Sequence, residues 1–244
     1  MFHKKLYPII CGMFAITFMA CNPQDKKNAG SFHINGTIAD ASDGDLVMLQ
    51  VENDQNMETL YETKVTNHTF TFEGSQDSTI ECSVVYIVKG SKQGATFFLE
   101  NGTINMKLSE TSSITGTENN NRYQDFLNEI NAIYGKMSAV YNNEKGSNED
   151  SVNDQVKQLD SKANSLIIQT INSNINNPVG FYLFRRFHHV MSIQKQNELI
   201  SKLPVSLRKD PVIEDIKAQI AILPADSIGN DTILFDMDYH DDLE

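Results

Sequence analysis

The chain is poor in cysteine: it has only three among 244 residues, and they form no Cys-x-x-Cys motif. Thiol–disulfide exchange needs a nucleophilic thiolate, usually beside a resolving cysteine, so the sequence excludes that chemistry. It also lacks a glycine-rich phosphate loop, a Ser-His-Asp order and paired metal ligands on suitable elements. We therefore expect no catalytic residues, metal or cofactor. The weaker alternative is a hydrolase, which would need two carboxylates converging in a cleft.

The N-terminal segment indicates where the protein resides. Two lysines precede an apolar run at residues 6–19, which is shorter than the roughly 20 residues that span a bilayer. The run leads into Phe-Met-Ala-Cys at residues 18–21, and this sequence resembles a bacterial lipobox. The resemblance implies a lipoprotein signal peptide at residues 1–20 and acylation of Cys21. Simple secretion and an uncleaved anchor are the alternatives.

Removal of this leader would leave 18 basic and 32 acidic residues. Such a surface repels phosphate backbones, so we expect no nucleic-acid partner. Residues 22–30 lack large hydrophobic side chains, and residues 21–30 are predicted to form a flexible tether. Cys82 would be the single thiol left, which excludes an intramolecular disulfide. Its alternating surroundings favour a buried, inert thiol over a reactive one.

Residues 31–117 alternate between apolar and polar positions, the period expected for β-strands. Asp43-Gly44 and Asn67-His68 predict turns, and Gly90 and Gly94 are expected to end a strand at 82–88. Seven or eight short strands of this kind predict an antiparallel β-sandwich or open barrel.

The clearest hairpin signal in this region is Asn101-Gly102, which separates apolar runs at 97–100 and 103–108. Asn-Gly tolerates the two positive φ angles of a type I′ turn, which matches the twist of paired strands. The sequence therefore predicts that these two runs pair with each other.

After residue 117 the apolar period becomes that of amphipathic helices. Stripes at 123–141 and 152–171 predict two long helices, and 193–203 predicts a short fourth one. Asn177-Pro178 and Asp210-Pro211 each place proline after an N-cap residue, which starts the third and fifth helices. We expect an α+β fold in which residues 118–224 form a helical domain of about five helices in antiparallel hairpins.

Three motifs carry a family resemblance: Phe32-x-Ile34-x-Gly36-x-Ile38 with its Gly44-x-Leu46 continuation, residues 65–74, and residues 98–104. Together they resemble a domain of unknown function common in Bacteroidetes lipoproteins. Family members often continue through helices into a thioredoxin-like domain of the peroxiredoxin and cytochrome-maturation type. The resemblance spans residues 31–235, and this chain is expected to lack the thioredoxin-like domain. The family usually has glycine where His68 stands.

One dense cationic cluster stands out, formed by Arg185, Arg186, His188 and His189. Adjacent histidines project about 100° apart on a helix, so they cannot act as metal ligands at i, i+4 spacing. Either these side chains lie on a helix surface and pair with nearby acids, or they form a patch for an anionic ligand or partner.

Residues 225–244 are acidic and are predicted to form a solvated tail. Five carboxylates and an imidazole gather near the end, but their spacing does not fit an EF-hand loop. Ser227 and Thr232 lie in Asp-Ser-Ile and Asp-Thr-Ile triplets. These triplets resemble an O-glycosylation signal of Bacteroidetes envelope proteins, so both residues are candidate modification sites.

These features predict a lipid-anchored, non-catalytic protein of the cell envelope that binds a protein or a glycan. The alternative is an accessory partner of a separate thioredoxin-like thiol-disulfide oxidoreductase. Only Asp25 follows Cys21 before Lys26 and Lys27, whereas surface-exported lipoproteins tend to carry an acidic run there. A periplasm-facing position is therefore preferred over the cell surface.

Overall fold

The computed structural model describes residues 30–53, 56–142 and 149–222, in which eight strands precede five α-helices. The strands are β1 (Ser31–Ile38), β2 (Leu46–Asn53), β3 (Asn56–Lys64), β4 (Thr69–Ser75), β5 (Ile80–Val88), β6 (Ser91–Leu99), β7 (Gly102–Leu108) and β8 (Ser113–Thr115). The helices are α1 (Glu118–Asn142), α2 (Glu149–Asn174), α3 (Pro178–Phe187), α4 (Ile193–Lys202) and α5 (Pro211–Ile222). This order confirms the predicted α+β class.

The strands form two four-stranded sheets that share one core. Sheet A has the order β4-β1-β7-β8 and sheet B the order β3-β2-β5-β6. Ile34 and Ile104 of sheet A are buried in the same cluster as Leu49 and Val84 of sheet B, as the alternating pattern requires. The predicted sandwich is confirmed, with one addition: β1 pairs with β7 in parallel, whereas every other strand pair is antiparallel.

Glycine is required where an aromatic ring crosses the backbone of β1. A Cβ atom at Gly36 would overlap the ring of Phe70 on the neighbouring strand β4. Any side chain at this position would push the ring out of the core, so the first motif of the sequence needs its glycine for packing.

The turn predicted at Asn67-His68 is confirmed. Both residues have positive φ, 50° and 59°, and Thr66 and Thr69 bond each other's backbone at 2.9 and 3.0 Å. Oδ1 of Asp43 accepts a hydrogen bond from the Asn67 amide at 2.7 Å. His68 thus adopts the left-handed conformation that glycine would take without strain.

The hairpin predicted at Asn101-Gly102 is wrong. Strand β6 pairs with β5 in sheet B, while β7 pairs with β1 and β8 in sheet A, so this pair of residues carries the chain from one sheet to the other. The side chain of Asn101 stabilises this crossing by bonding the backbone of Gln76. It donates to the Gln76 carbonyl oxygen at 2.7 Å and accepts from the Gln76 amide at 3.2 Å. The Asn-Gly signal correctly predicts that the chain reverses here, but it does not predict which strands pair with each other.

The expected strand end at Gly94 is also wrong, because Gly94 lies inside β6 opposite Val85. The reversal between β5 and β6 occurs at Lys89 and Gly90, whose φ angles are 52° and 82°. Positive φ at both positions is the geometry of a type I′ hairpin turn.

Helix α1 closes one side of the sandwich. Strands β6 and β8 are the edges of their sheets, and side-chain amides of α1 bond to both. Asn120 accepts from the Phe98 amide at 2.9 Å and donates to the Phe98 carbonyl at 2.7 Å, while Gln124 accepts from the Ile114 amide at 2.8 Å. These contacts satisfy backbone groups that an uncovered edge would leave unpaired.

The helices build a second core, to which the sandwich contributes Phe98. Phe97 and Leu99 are buried between the sheets, whereas Phe98 belongs to the helical cluster. The helix start predicted at Asn177-Pro178 is confirmed. The Asn177 side chain accepts a hydrogen bond from the Gly180 amide, and Pro178 begins α3. No helix in the described ranges is long and apolar enough to cross a membrane.

Candidate functional site

The predicted cationic cluster lies at the C-terminal end of α3. The Asn177 cap starts this ten-residue helix, which therefore places Arg185 and Arg186 in the last turn. Positive side chains are favoured there because they face the negative end of the helix dipole. His188 and His189 follow in a 3₁₀ turn, His188–Val190.

Arg185 points into the junction between α3 and sheet B. Its guanidinium forms an ion pair with Glu81 of β5, and its Cζ lies 5.1 Å from the centroid of the Phe181 ring. The Nε atom is buried and has no hydrogen-bond partner among the described residues. Burial raises the pKa of the Glu81 carboxyl, and the charges of Arg185 and Arg186 partly oppose that shift.

The other members of the cluster lie nearer the surface. Arg186 and His189 are exposed, and His188 is half-buried with Nδ1 3.2 Å from the Arg185 carbonyl oxygen. Partial burial, and then the neighbouring His188, lower the pKa of His189, which favours the neutral form of this imidazole. The cluster therefore divides into Arg185 within the junction and Arg186 with His189 on the surface.

Aromatic rings fill the junction beside this cluster. Phe98, Tyr123 and Tyr182 meet edge to face, with centroids 5.4 to 6.0 Å apart, and the two tyrosine hydroxyls are 3.4 Å apart. Burial raises the pKa of the Tyr123 hydroxyl, so it keeps its proton at neutral pH. Such rings stabilise the junction by packing rather than by proton transfer.

Cys82 lies in the sandwich core with 1% of its surface exposed, which confirms its predicted burial. Burial raises the pKa of its thiol to about 12. The reactive thiolate is therefore scarce at neutral pH.

An open cleft of about 520 Å³, which sequence reasoning missed, lies over the end of the β1–β4 pair. It is lined by Ser31, Phe32, His33, Glu73 and Gly74. Nδ1 of His33 lies 3.0 Å from Glu73 Oε1, and Nε2 lies 2.8 Å from Asn35 Oδ1. The polar, outward positions of β1 were a usable signal, but the pairing of His33 with Glu73 depends on a strand register that the sequence does not display.

A second, smaller groove of about 370 Å³ runs between α1 and α2, beside Lys136 and Lys162. Its other lining residues are Gln155, Gln158 and the half-buried Leu159. The four polar side chains are exposed, so the groove offers no buried polar group to a ligand.

Several predicted residues lie outside the described ranges: the leader, Cys21, Ser227, Thr232 and the acidic tail. Within those ranges, no three His, Cys, Asp or Glu side chains form a group that could hold a metal ion.

Residues 32–123 match the family model of DUF4369, a domain of unknown function. The match contains all three motifs on which the resemblance rests, so it confirms that this domain is present. It covers the strands and the first turns of α1, including Asn120. No curated protein matches the chain.

Proposed function

We propose that this chain is a lipid-anchored, non-catalytic interaction protein of the cell envelope, facing the periplasm. The observation that carries the proposal is the lipobox-like sequence ending at Cys21, followed within ten residues by the folded body. Residues 21–30 can extend at most about 35 Å, so an acylated Cys21 would keep the body close to the bilayer.

The body supports a binding role because it presents ordered surfaces on a short tether. Phe98 and the amides of Asn120 and Gln124 join the sandwich to the helical layer. The cysteine that the sequence places in the body, Cys82, is inside the core. A joined body of this kind can hold a large partner without losing much conformational entropy.

The second candidate function is an accessory role for a separate thioredoxin-like oxidoreductase. It is favoured by the DUF4369 match, since the family it resembles often joins this domain to a thioredoxin-like one. A crosslinked partner with a Cys-x-x-Cys motif would support this candidate, whereas a glycan ligand would support the first.

Anchoring is tested by Cys21→Ser in the native host, followed by fractionation and labelling with a fatty-acid analogue. We expect wild-type protein to incorporate the label and to sediment with the envelope, and the variant to do neither. Cys82→Ser is the matched control and should leave labelling unchanged. A Cys21→Ser protein that still sediments with the envelope would contradict the proposal.

Protease treatment of intact cells, combined with crosslinking and pull-down, tests sidedness and partner together. A periplasm-facing protein should resist the protease until the outer barrier is opened. Immediate digestion would place the protein at the cell surface instead.

A further inference from the structure

We propose that the outer side of sheet A, together with the cleft at His33 and Glu73, binds an uncharged glycan. This inference rests on the proposed binding role and adds a site and a ligand class to it. The site is defined by three observations: a hydrogen-bonded side-chain group, an uncharged row of side chains across all four strands, and the adjoining cleft.

The first observation is that the His33 imidazole lies between the side chains of Glu73 and Asn35, within hydrogen-bond distance of both. The imidazole lies within hydrogen-bond distance of Glu73 Oε1 at one nitrogen and of the Asn35 side-chain amide at the other, so the three side chains form one polar group on the outer side of the sheet. Glu73 Oε2 and the second polar atom of the Asn35 side-chain amide have no hydrogen-bond partner among the described residues, so both remain available. Donors and acceptors that lie side by side in this way can bond neighbouring hydroxyl groups of one ligand.

The second observation is a row of polar side chains that crosses the whole sheet. Register places Thr71, Asn35, Asn105 and Thr115 side by side on β4, β1, β7 and β8. Four strands span three inter-strand spacings, about 14 Å, so the row is long enough to contact a chain of sugars rather than one ring. Hydroxyls and amides donate and accept, as sugar hydroxyls do.

Charge decides which ligand fits. Residues 31–117 contain 12 acidic and four basic side chains, yet the outer side of sheet A has only Glu73, Lys107 and the imidazole of His33. One acid and one base give this surface no net charge, so it offers no complementary field to a polyanion or a polycation. An uncharged polymer of hydroxyl groups is the matching class.

Hydrophobic content argues against a protein partner at this site. Protein interfaces usually depend on buried aromatic or large apolar anchors. The exposed large hydrophobic side chains of the described residues lie elsewhere: Met57 on β3, Ile87 on β5, and four more on or beside the helices. Phe32, one of the residues that line the cleft, is 2% exposed.

The test uses the full-length protein in detergent and follows its mobility in native gels that contain a polysaccharide. Dextran, xylan and mannan are the neutral probes, and polygalacturonate is the anionic one. We expect at least one neutral polymer to retard wild-type protein. The triple variant His33→Ala, Asn35→Ala and Asn105→Ala should bind it at least tenfold more weakly. The matched control is His68→Ala with Asn131→Ala, which removes an exposed imidazole and an amide elsewhere and should bind like wild type.

Thermal unfolding checks that the triple variant is folded. Hydroxyl-radical footprinting of wild-type protein with bound polymer provides a measurement that needs no variant, and protection should fall on β1, β4 and β7. Failure of every neutral polymer to bind, equal binding by both sets of variants, or retardation by polygalacturonate alone would overturn the glycan site. None of these results affects the Cys21 fractionation, so the anchoring proposal succeeds or fails separately.

Discussion

The sandwich and the helical layer differ in charge and in how they satisfy their backbone. Residues 31–117 carry 12 acidic and four basic side chains, whereas residues 118–222 carry 12 of each. Each helix pairs its own backbone internally, but the sandwich has edges, and α1 bonds two of them, at Phe98 of β6 and at Ile114 of β8. In return the helical core contains Phe98 of β6. Each half is therefore completed by residues of the other.

The largest effect should come from two neighbouring phenylalanines that serve different cores. Phe97→Ala and Phe98→Ala each remove a ring with no more than 1% of its surface exposed, and each should lower the free energy of unfolding by about 3–5 kcal/mol. Hydrogen exchange should separate them: Phe97→Ala weakens protection of the strands, and Phe98→Ala weakens α1 and α3. Identical exchange patterns would show that the two cores respond as one.

A smaller effect is expected when the bond between the halves is removed at Asn120. Asn120→Ala leaves the buried amide and carbonyl of Phe98 unpaired, so the free energy of unfolding should fall by about 2–3 kcal/mol. Asn131→Ala, on the exposed side of the same helix, is the control and should change stability by less than about 0.5 kcal/mol. Denaturant titration measures both. Equal stability of the two variants would mean that water bonds the Phe98 backbone in place of the Asn120 side chain, with no loss in the free energy of unfolding.

The ion pair across the junction should give a weaker effect that depends on pH. Burial raises the pKa of Glu81 above its ordinary 4.5, so the folded protein holds this proton more tightly than the unfolded chain does. The resulting stabilisation is complete below pH 4.5 and is lost as the pH rises through the folded-state pKa. In the Glu81→Gln variant, this loss of folding stability with rising pH should be absent.

The expected difference between wild type and Glu81→Gln is less than about 1 kcal/mol, because the carboxyl is partly exposed and solvent screens it. Denaturation between pH 4 and pH 7 measures it, with the exposed Glu58→Gln as control. Wild type that becomes more stable than Glu81→Gln as the pH rises would show that the Arg185 pair outweighs burial.

The smallest effect is expected at Cys82. The native protein should not react with iodoacetamide at pH 8 over an hour, because the pKa of the thiol is about 12 and the side chain is buried. Guanidinium should make the thiol fully reactive, as measured by mass spectrometry. Rapid labelling of native protein would show that the sandwich opens locally.

Local signals predicted the fold well where structure depends on neighbours in sequence. The turn at Asn67-His68 and the cap at Asn177 each involve residues within three positions of one another. The Asn101-Gly102 prediction failed because a turn signal does not say which strand pairs. The β1–β7 register joins residues about 70 positions apart, and no local pattern encodes it.

The candidate sites show the same limit. The sequence identified Arg185 as part of a cluster, but its partner Glu81 is 104 positions away on β5. His33 and Glu73 meet through the pairing of β1 with β4, and Asn105 joins the row through the parallel pair β1–β7. Three consecutive buried residues, Phe97, Phe98 and Leu99, break the alternation of β6 because the middle one faces the helices. Alternation alone cannot distinguish two cores from one.

The bonds from α1 to the strand edges have a practical consequence for anyone who cuts this protein into pieces. A fragment that stops at residue 117 would retain all eight strands yet expose the bare edges of β6 and β8, and such edges recruit other chains. Aggregation of that fragment would reflect the position of the cut rather than an unstable domain. A fragment that continues through the five helices keeps the bonds from α1 to both edges and the cover over Phe98.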